Sequence, residues 1–203
     1  NAMFIIALDY LLEMAPDSPQ ASRWKSLREG IERNVRAHLW DEKRQKFIPH
    51  IYPEKSPIPE GFDELAIHYH GGTAIAIEAG LLSKDEIRTV NAQMLENVRL
   101  SGMPSIGLTL YPVYPDGFFH GGMSKAYLYQ NGGDWTWFGG RMIQQLVVNG
   151  MVEEAYAEIH PMIERVIQND GFYEWYGKGG VPSGSGNFKG SAGVLSKDRK
   201  STR

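Results

Sequence analysis

Glu174 is the residue whose surroundings best suit acid–base chemistry. It lies in an aromatic run between Gly171 and Gly177, with Tyr173 and Trp175 on either side. Rings on both sides keep water away from a carboxylate, and a poorly solvated carboxylate suits general acid–base catalysis. The alternative is an ordinary surface glutamate in a loop. A glycine-rich stretch, 179–190, follows, and its residues 182–186 form either a flexible linker or a tight loop framing a pocket.

A second stretch, 129–140, combines amides, a carboxylate and indoles around the glycine pair Gly132 and Gly133. Such a pair allows a sharp turn and a close approach of backbone to a ligand. Sugars bind with their C–H faces on rings and their hydroxyls on polar side chains. Asp134 could instead serve only as a helix N-cap. From the two stretches we predict seven sugar-binding residues: Gln130, Asn131, Asp134, Trp135, Trp137, Tyr173 and Trp175.

Other polar clusters are weaker candidates. His68 and His70 are two apart on a predicted helix and so do not face each other, which argues against a shared metal ion. Asp63 and Glu64 are expected to complement the dipole at the start of that helix. The chain has no cysteine and no nucleophile elbow. We therefore expect no metal, no cofactor and no hydrolytic triad.

Apolar residues at helical spacing predict the elements that position these groups. Helices are expected over 4–14, 24–39, 62–82, 83–100, 135–149 and 152–166, with a further one beginning near Gly190. Residues 83–86 form a capping box. The short turns 15–19, 81–83 and 150–151 join antiparallel partners, so the long connections 40–61, 101–134 and 170–189 must share one end. The fold class predicted is all-α, an array of antiparallel helical hairpins.

The aromatic residues indicate what that end does. With the first helical turns included, the three connections hold 18 of the 23 aromatic rings in about two-fifths of the chain. Disordered loops are poor in aromatic residues. We therefore expect packed connections that converge on one aromatic rim suited to an oligosaccharide. The alternative is that the rings only anchor long loops.

Composition argues against some classes of binding partner, and the local sequence suggests where the domain lies in the chain. The 203 residues carry a net charge of −3 with 42% hydrophobic and 22% charged residues, which is typical of a globular protein and offers no footprint for nucleic acid or anionic membrane. No apolar run approaches a membrane span. Asn1 and Ala2 resemble a cloning scar, residues 3–195 form the predicted domain, and 196–203 look like a polar tail.

At stretches 129–140 and 171–177 the sequence resembles the six-hairpin (α/α)6 toroid glycosidases, particularly processing α-glucosidases, glycogen-debranching glucosidase domains and cellobiose-type phosphorylases. In that superfamily an Asn-Gly-Gly stretch precedes a late inner helix. An aromatic-flanked glutamate, a glycine-rich turn and a segment like 187–193 come near the C-terminus. The resemblance covers most of residues 24–195 and implies about half of an (α/α)6 barrel, its C-terminal portion.

The resemblance also implies a function. The glutamate matching Glu174 is the general base in the hydrolytic members, whereas the general acid lies in the N-terminal half. The chain supplies about three and a half of six hairpins, so we expect it to be inactive alone and to self-associate through the open edge. The alternatives are a glycoside phosphorylase, a non-catalytic carbohydrate-binding remnant, and a helical repeat for protein contacts, which would require shorter loops.

Overall fold

The computed structural model of the chain describes residues 1–196, and helices dominate this part. Its α-helices are α1 (Ala2–Met14), α2 (Ala21–Leu39), α3 (His70–Glu78), α4 (Lys84–Ser101), α5 (Thr136–Val148), α6 (Val152–Gln168) and α7 (Lys189–Ser196). The predicted all-α hairpin array is confirmed. Of the predicted polar tail, Ser196 ends α7, and 197–203 lie outside the described residues.

The helices form an inner row and an outer row. In the inner row α1 contacts α3, α3 contacts α5, and α5 contacts α7. The hairpin partners α2, α4 and α6 lie outside this row. The main hydrophobic core fills the space between the rows and includes Ile5, Val35, Ile77, Val90, Leu146 and Met162. Burial of this apolar area is the main force that holds the hairpins side by side.

Glycines let the inner helices pack closely. A Cβ on Gly71 of α3 would lie 2.2 Å from the Phe138 ring, and one on Gly139 of α5 would lie 1.9 Å from Met162 Cε. Both distances are far inside van der Waals contact, so only glycine fits these positions. The glycines that looked out of place in helical segments are therefore packing positions.

The ends of α4 follow from local sequence. The Ser83 hydroxyl accepts a hydrogen bond from the Glu86 backbone N–H, and the Glu86 side chain accepts one from the Ser83 backbone N–H. The helix ends at Gly102, whose φ of 69° is the left-handed conformation that glycine adopts readily. The predicted capping box is confirmed.

The long helix predicted over 62–82 is wrong in its first half. Only His70–Glu78 is α-helical, and Glu64–Ala66 form a single 3₁₀ turn. His68 and Tyr69 are extended and pair with Tyr111 and Leu110 of the next connection. Because no α-helix begins at Asp63, the predicted role of Asp63 and Glu64 at a helix dipole is also wrong.

The three long connections meet at one end, as predicted, and short antiparallel ladders order them. The pairs are β1 (Trp40–Asp41) with β2 (Lys46–Phe47), β3 (His68–Tyr69) with β4 (Leu110–Tyr111), and β5 (Trp175–Tyr176) with β6 (Pro182–Ser183). Backbone hydrogen bonds also join Thr109 to Gly133 and Asp134 to Tyr176. Within residues 1–196, none of the helices is both long and apolar enough to cross a membrane.

Candidate functional site

Glu174 lies half-buried on a short extended segment at the connection end of the array. Its backbone N–H donates to the Ser185 carbonyl at 2.9 Å. Its carboxylate accepts one hydrogen bond from the Tyr129 hydroxyl and one from the Ser185 backbone N–H, each at 3.3 Å. The carboxylate is therefore oriented by donors from two connections and keeps part of its surface accessible.

Backbone pairing on both sides fixes the segment that carries Glu174. On one side Asp134 and Tyr176 exchange two backbone hydrogen bonds, at 2.8 and 2.9 Å. On the other side Trp175 and Tyr176 pair with Ser183 and Pro182 in the β5–β6 ladder. The segment is thus the middle strand of a three-stranded arrangement built from the second and third long connections.

Aromatic rings gather around this arrangement. The Trp135 ring cluster consists of Tyr129, Trp135, Trp137, Phe138, Trp175 and Phe188, whose neighbouring ring centroids lie 4.9–6.2 Å apart. Most contacts are edge-to-face, the geometry that aromatic quadrupoles favour. All members except the buried Trp135 are half-buried, so their rings present some surface to a ligand.

A second group of rings joins the first and second connections. The Tyr114 ring cluster consists of Phe62, Tyr114, Phe118 and Phe119, with centroid distances from Tyr114 of 4.8–5.6 Å. Tyr114 has no exposed surface, and the cluster packs on Ile67 and Leu110. These rings anchor the first and second connections to each other. The predicted rim is therefore not one continuous surface, because these two clusters are separate and further ring pairs, such as Trp40 with Phe47, lie outside both.

Asp134 is fully buried and bound to groups of the chain itself. The Ser105 hydroxyl donates to its carboxylate, at 2.7 and 2.9 Å, and the Arg165 guanidinium forms an ion pair with it at 2.8 Å. Burial raises the pKa of Asp134, while Arg165 and Ser105 oppose the shift. The alternative role of Asp134 as an N-cap is wrong, because the residue preceding α5 is Trp135 and no side chain caps that helix.

The side chains of Asn131 and Trp135 are also buried and hydrogen-bonded to backbone groups of the chain. Asn131 has no exposed surface. Its Oδ1 accepts from the Tyr114 backbone N–H at 2.9 Å and its Nδ2 donates to the Tyr114 carbonyl at 3.1 Å. The Trp135 indole N–H donates to the Tyr129 carbonyl at 3.2 Å. In this structure these side chains hold the connections together and offer little or no surface to a ligand.

The other predicted sugar-binding residues have accessible surface. Gln130 is exposed, and Trp137, Tyr173 and Trp175 are half-buried. The Trp137 ring also stacks on the Arg141 guanidinium, 4.5 Å from the ring centroid, and Arg141 pairs with Glu78 of α3 at 2.6 Å. The predicted set therefore divides into four residues that can touch a ligand and three that support them.

Glu64 and Arg165 are polar residues whose roles the sequence did not reveal. One oxygen of the nearly buried Glu64 carboxylate lies 2.6 Å from the Tyr114 hydroxyl, 2.9 Å from that of Tyr52 and 2.7 Å from His50 Nδ1. Burial acts to raise the pKa of Glu64, but these donors outweigh it and hold the pKa below its ordinary value. Nothing local in the sequence connects Glu64 with Tyr114, which lies in another connection.

The two histidines considered as metal ligands lie on different elements. His68 belongs to β3, whereas His70 begins α3 and is buried, with its Nε2 3.1 Å from the Asn97 amide nitrogen. Burial and the neighbouring His68 lower the pKa of His70 to about 3. Over residues 1–196, no group of three or more His, Cys, Asp or Glu side chains has a geometry that could hold a metal ion.

A scan against protein-family models and a search of curated proteins found no match. Solved structures do match. A GH63 mannosylglycerate hydrolase from Thermus thermophilus, crystallised with Tris and D-glycerate, is 18% identical, with a TM-score of 0.70 over 96% of this chain and 43% of its own. An uncharacterised conserved protein from the same organism is 17% identical, with a TM-score of 0.67 over 96% and 45%. The same hydrolase in complex with glucose is 17% identical, with a TM-score of 0.66 over 96% of this chain and 44% of its own.

The chain has the fold of part of these hydrolase structures. It spans less than half of their length. This agreement confirms the predicted resemblance to a portion of a six-hairpin toroid glycosidase. At 17–18% identity the comparison establishes the fold, and the activity has to be argued from the site.

Proposed function

We propose that residues 3–195 form the part of an inverting glycoside hydrolase domain that carries the general base, Glu174. The observation that carries this proposal is the placement of the Glu174 carboxylate. It is oriented by the Tyr129 hydroxyl and the Ser185 N–H, and it lies beside the half-buried ring of Trp175. The fold shared with a GH63 hydrolase supports the same conclusion.

The chemistry follows from the donors around the carboxylate. Two hydrogen bonds orient the Glu174 carboxylate. In the proposed reaction this carboxylate accepts a proton from a water molecule while the water oxygen attacks the anomeric carbon from the face opposite the leaving group. A general acid protonates the departing glycosidic oxygen. Inversion requires the two carboxyl groups to be roughly 6.5–9.5 Å apart.

Gln130, Trp137, Tyr173 and Trp175 are proposed to contact the sugar directly. Their rings can lie against the C–H faces of a pyranose, and the Gln130 amide can hydrogen-bond a hydroxyl. Asn131, Asp134 and Trp135 belong to the same site as its support. Asn131 and Trp135 fix the chain around Tyr129, and Asp134 pairs with the strand that carries Glu174.

The substrate class proposed is an oligosaccharide or other glycoside. The matched hydrolase is named for mannosylglycerate and was crystallised with D-glycerate and with glucose. These compounds belong in a first binding panel beside glucosides, mannosides and galactosides. A titration that follows tryptophan fluorescence is suitable because Trp135, Trp137 and Trp175 belong to the proposed site.

Two variants sharpen this titration. Trp175→Phe removes an indole at the site, whereas Trp24→Phe removes one on the outer helix α2. We expect Trp24→Phe to keep the sugar-dependent response and Trp175→Phe to lose most of it. A folded protein that responds to no member of the panel contradicts the sugar site.

Turnover requires the second carboxylate, which the resemblance places in the N-terminal half of the domain. We therefore propose that the chain alone does not turn over substrate at a useful rate. Co-expression with the missing hairpins of a structurally matched hydrolase tests assembly of the active site. Release of free sugar without phosphate indicates hydrolysis, whereas strict dependence on phosphate with formation of a sugar phosphate indicates a phosphorylase.

A further inference from the structure

A second cavity of the described residues lies away from Glu174. It is an open groove of about 880 Å³ between the β1–β2 hairpin and the middle of α4. Its polar lining consists of three cationic residues, one carboxylate and four other polar residues: Arg44, Lys46, Arg88, Glu96, His68, Thr89, Gln93 and Asn97. None of these residues belongs to the site described above. We call this groove the Lys46 cavity.

Lys46 is the unbalanced charge of this cavity. Its side chain is only 3% exposed, and its ammonium donates to the Ile67 carbonyl. Within residues 1–196, no carboxylate comes within ion-pairing distance of it. A buried cation without a counter-charge is costly, and such groups are found where a ligand or a reaction uses them.

The other charges around the cavity are already balanced. Arg44 pairs with Asp41 at 2.7 Å, Arg88 with Asp85 at 2.9 Å, and Arg99 with Glu96 at 2.5 Å. Each of these pairs joins residues three apart on an exposed surface. Among the charged residues that line the cavity, Lys46 is the most buried and the one without an ion pair.

The protonation of neighbouring groups reflects this positive field. Burial lowers the pKa of Lys46 to about 8, and the charge of Arg44 adds to the effect, while the carboxylates of Asp41 and Asp63 oppose it. Burial lowers the pKa of His68 to about 4, and here the charge of Lys46 contributes. The carbonyl oxygen of the Gln93 amide is also buried without a hydrogen-bond partner, although its nitrogen donates to the Arg44 carbonyl at 2.9 Å. Polar groups in the cavity are thus incompletely satisfied.

We propose that the Lys46 cavity binds a small oxyanion, the phosphate or carboxylate group of a ligand. Lys46 supplies the buried charge, and the guanidinium groups of Arg44 and Arg88 supply further donors at the rim. Guanidinium groups match the oxygen spacing of phosphate and carboxylate. The cavity volume accommodates more than the anion alone, so the oxyanion can be part of a larger molecule.

The test uses the full chain with inorganic phosphate and acetate as probes at low ionic strength. We expect the pKa of Lys46, measured by NMR of its ¹³Cε-labelled side chain, to rise by about one unit or more when phosphate is present. Binding of phosphate alone identifies a phosphoryl site, and binding of both probes identifies a general oxyanion site. An unchanged Lys46 pKa at high millimolar concentrations of both probes overturns the proposal.

Two lysine variants separate specific binding from net charge. Lys46→Met removes the buried charge, whereas Lys43→Met removes an exposed charge from the same hairpin. We expect at least about tenfold weaker phosphate binding for Lys46→Met and a change within about twofold for Lys43→Met. Equal binding by both variants overturns the site. If Lys46→Met does not fold, the pKa measurement on the unaltered chain tests the oxyanion site. The sugar titration reports on the Glu174 site independently.

Discussion

The Asp134 carboxylate and the Arg165 guanidinium form an ion pair at 2.8 Å, and their side chains are 0% and 5% exposed. Arg165 comes from the outer helix α6, whereas Asp134 lies at the entrance of the inner helix α5. Arg165 also donates to the Thr136 hydroxyl at 2.8 Å and lies 4.0 Å over the centre of the Tyr176 ring. One outer-helix side chain therefore contacts both the strand that carries Glu174, through Tyr176, and the Asp134 segment paired with it.

Arg165→Met is expected to destabilise the fold strongly. It leaves Asp134 buried without its counter-charge, and loss of one partner of a buried ion pair typically costs about 3–5 kcal/mol. Arg99→Met is the matched control, because it breaks the exposed Arg99–Glu96 pair, and solvent screening leaves such a pair with little effect on stability. Urea unfolding followed by circular dichroism measures both. Similar losses of unfolding free energy in the two variants contradict the role given to Arg165.

Glu158 is expected to make stability depend on pH. Its Oε1 accepts from the Asn91 amide at 2.7 Å, while Glu158 Oε2 and Asn91 Oδ1 are both buried without a hydrogen-bond partner. Burial raises the pKa of Glu158 to about 7, against the opposing effect of the Asn91 hydrogen bond. Because the folded protein holds this proton more tightly than the unfolded chain, its contribution is full below about pH 4.5 and is lost as pH rises through about 7.

Glu158→Gln is expected to remove this pH dependence. The shift from 4.5 to about 7 corresponds to about 3 kcal/mol of stability lost across that window. The variant should resemble the unaltered chain near about pH 4.5 and be more stable than it at about pH 8. Measuring the free energy of unfolding of both proteins across this pH range tests the prediction. Glu153→Gln, an exposed change on the same helix, should leave the pH profile of the unaltered chain intact.

Gly184→Ala is expected to displace the proposed base. A Cβ there would lie 2.4 Å from Glu174 Oε2, and the residue has a φ of 71°. Gly179 has a similar φ of 69°, but nothing lies within 4 Å of its Cβ position. Both alanines therefore carry the same backbone strain, of about 1–2 kcal/mol, and only the one at 184 meets Glu174.

The comparison of these two glycine variants isolates the position of Glu174. In the assembled enzyme, kcat should fall about 10²-fold for Gly184→Ala, because small displacements of a reacting group are costly. It should change little for Gly179→Ala. Steady-state kinetics and thermal melts measure the two effects separately. Equal kcat values for the two variants indicate that Glu174 does not act in the reaction.

Glu174→Gln tests the base directly in the assembled enzyme. General-base assistance contributes about 10²–10⁴-fold to rate, and glutamine keeps the shape without accepting the proton. We expect kcat to fall at least about 10²-fold, with KM within a few-fold and thermal stability nearly unchanged. Glu164→Gln on the exposed face of α6 serves as control. Retained inverting activity would transfer the role to another carboxylate, with Asp63 the accessible candidate.

Self-association through α1 is a further prediction. This helix contacts α2 and α3, and on its other side it exposes large apolar side chains: Met3, Phe4, Tyr10, Leu11 and Met14. Contiguous apolar surfaces of this kind mark interaction sites. Phe4→Glu should shift the chain toward monomer in multi-angle light scattering. Val148→Glu alters an exposed apolar residue at the end of α5 and should not, and a monomeric unaltered chain contradicts the prediction.

Helices were predictable where sequence periodicity alone determines them. The apolar stripes of α2, α4 and α6 face the inner row, and the capping box at Ser83 starts α4. The region around His68 was not predictable in this way. The apolar residues in the first half of 62–82 predict a helix, but Tyr69 is extended and pairs with Leu110 of the next connection. A long-range backbone partner of this kind leaves no periodic trace in the local sequence.

The site was predictable in its location but less so in its details. The aromatic-flanked glutamate and the Asn-Gly-Gly stretch do lie side by side, because Asp134 pairs with Tyr176. Asp134 itself pairs with Arg165, a charge inside the apolar stripe of an outer helix. Burial depends on which side chains meet across the two rows. The sequence therefore predicted that these two stretches lie together, but it did not separate exposed residues from buried ones.

The Asp134–Arg165 pair also has a consequence for the order in which the chain matures on the ribosome. Synthesis runs from the N-terminus, so the hairpins α1–α2 and α3–α4 emerge first and can pack as they appear. Asp134 emerges well before Arg165 and cannot be desolvated cheaply until α6 supplies its counter-charge. The strand beside Glu174 must therefore wait for the α5–α6 hairpin, and a nascent chain stalled before α6 would hold ordered helices around an unformed Glu174 segment.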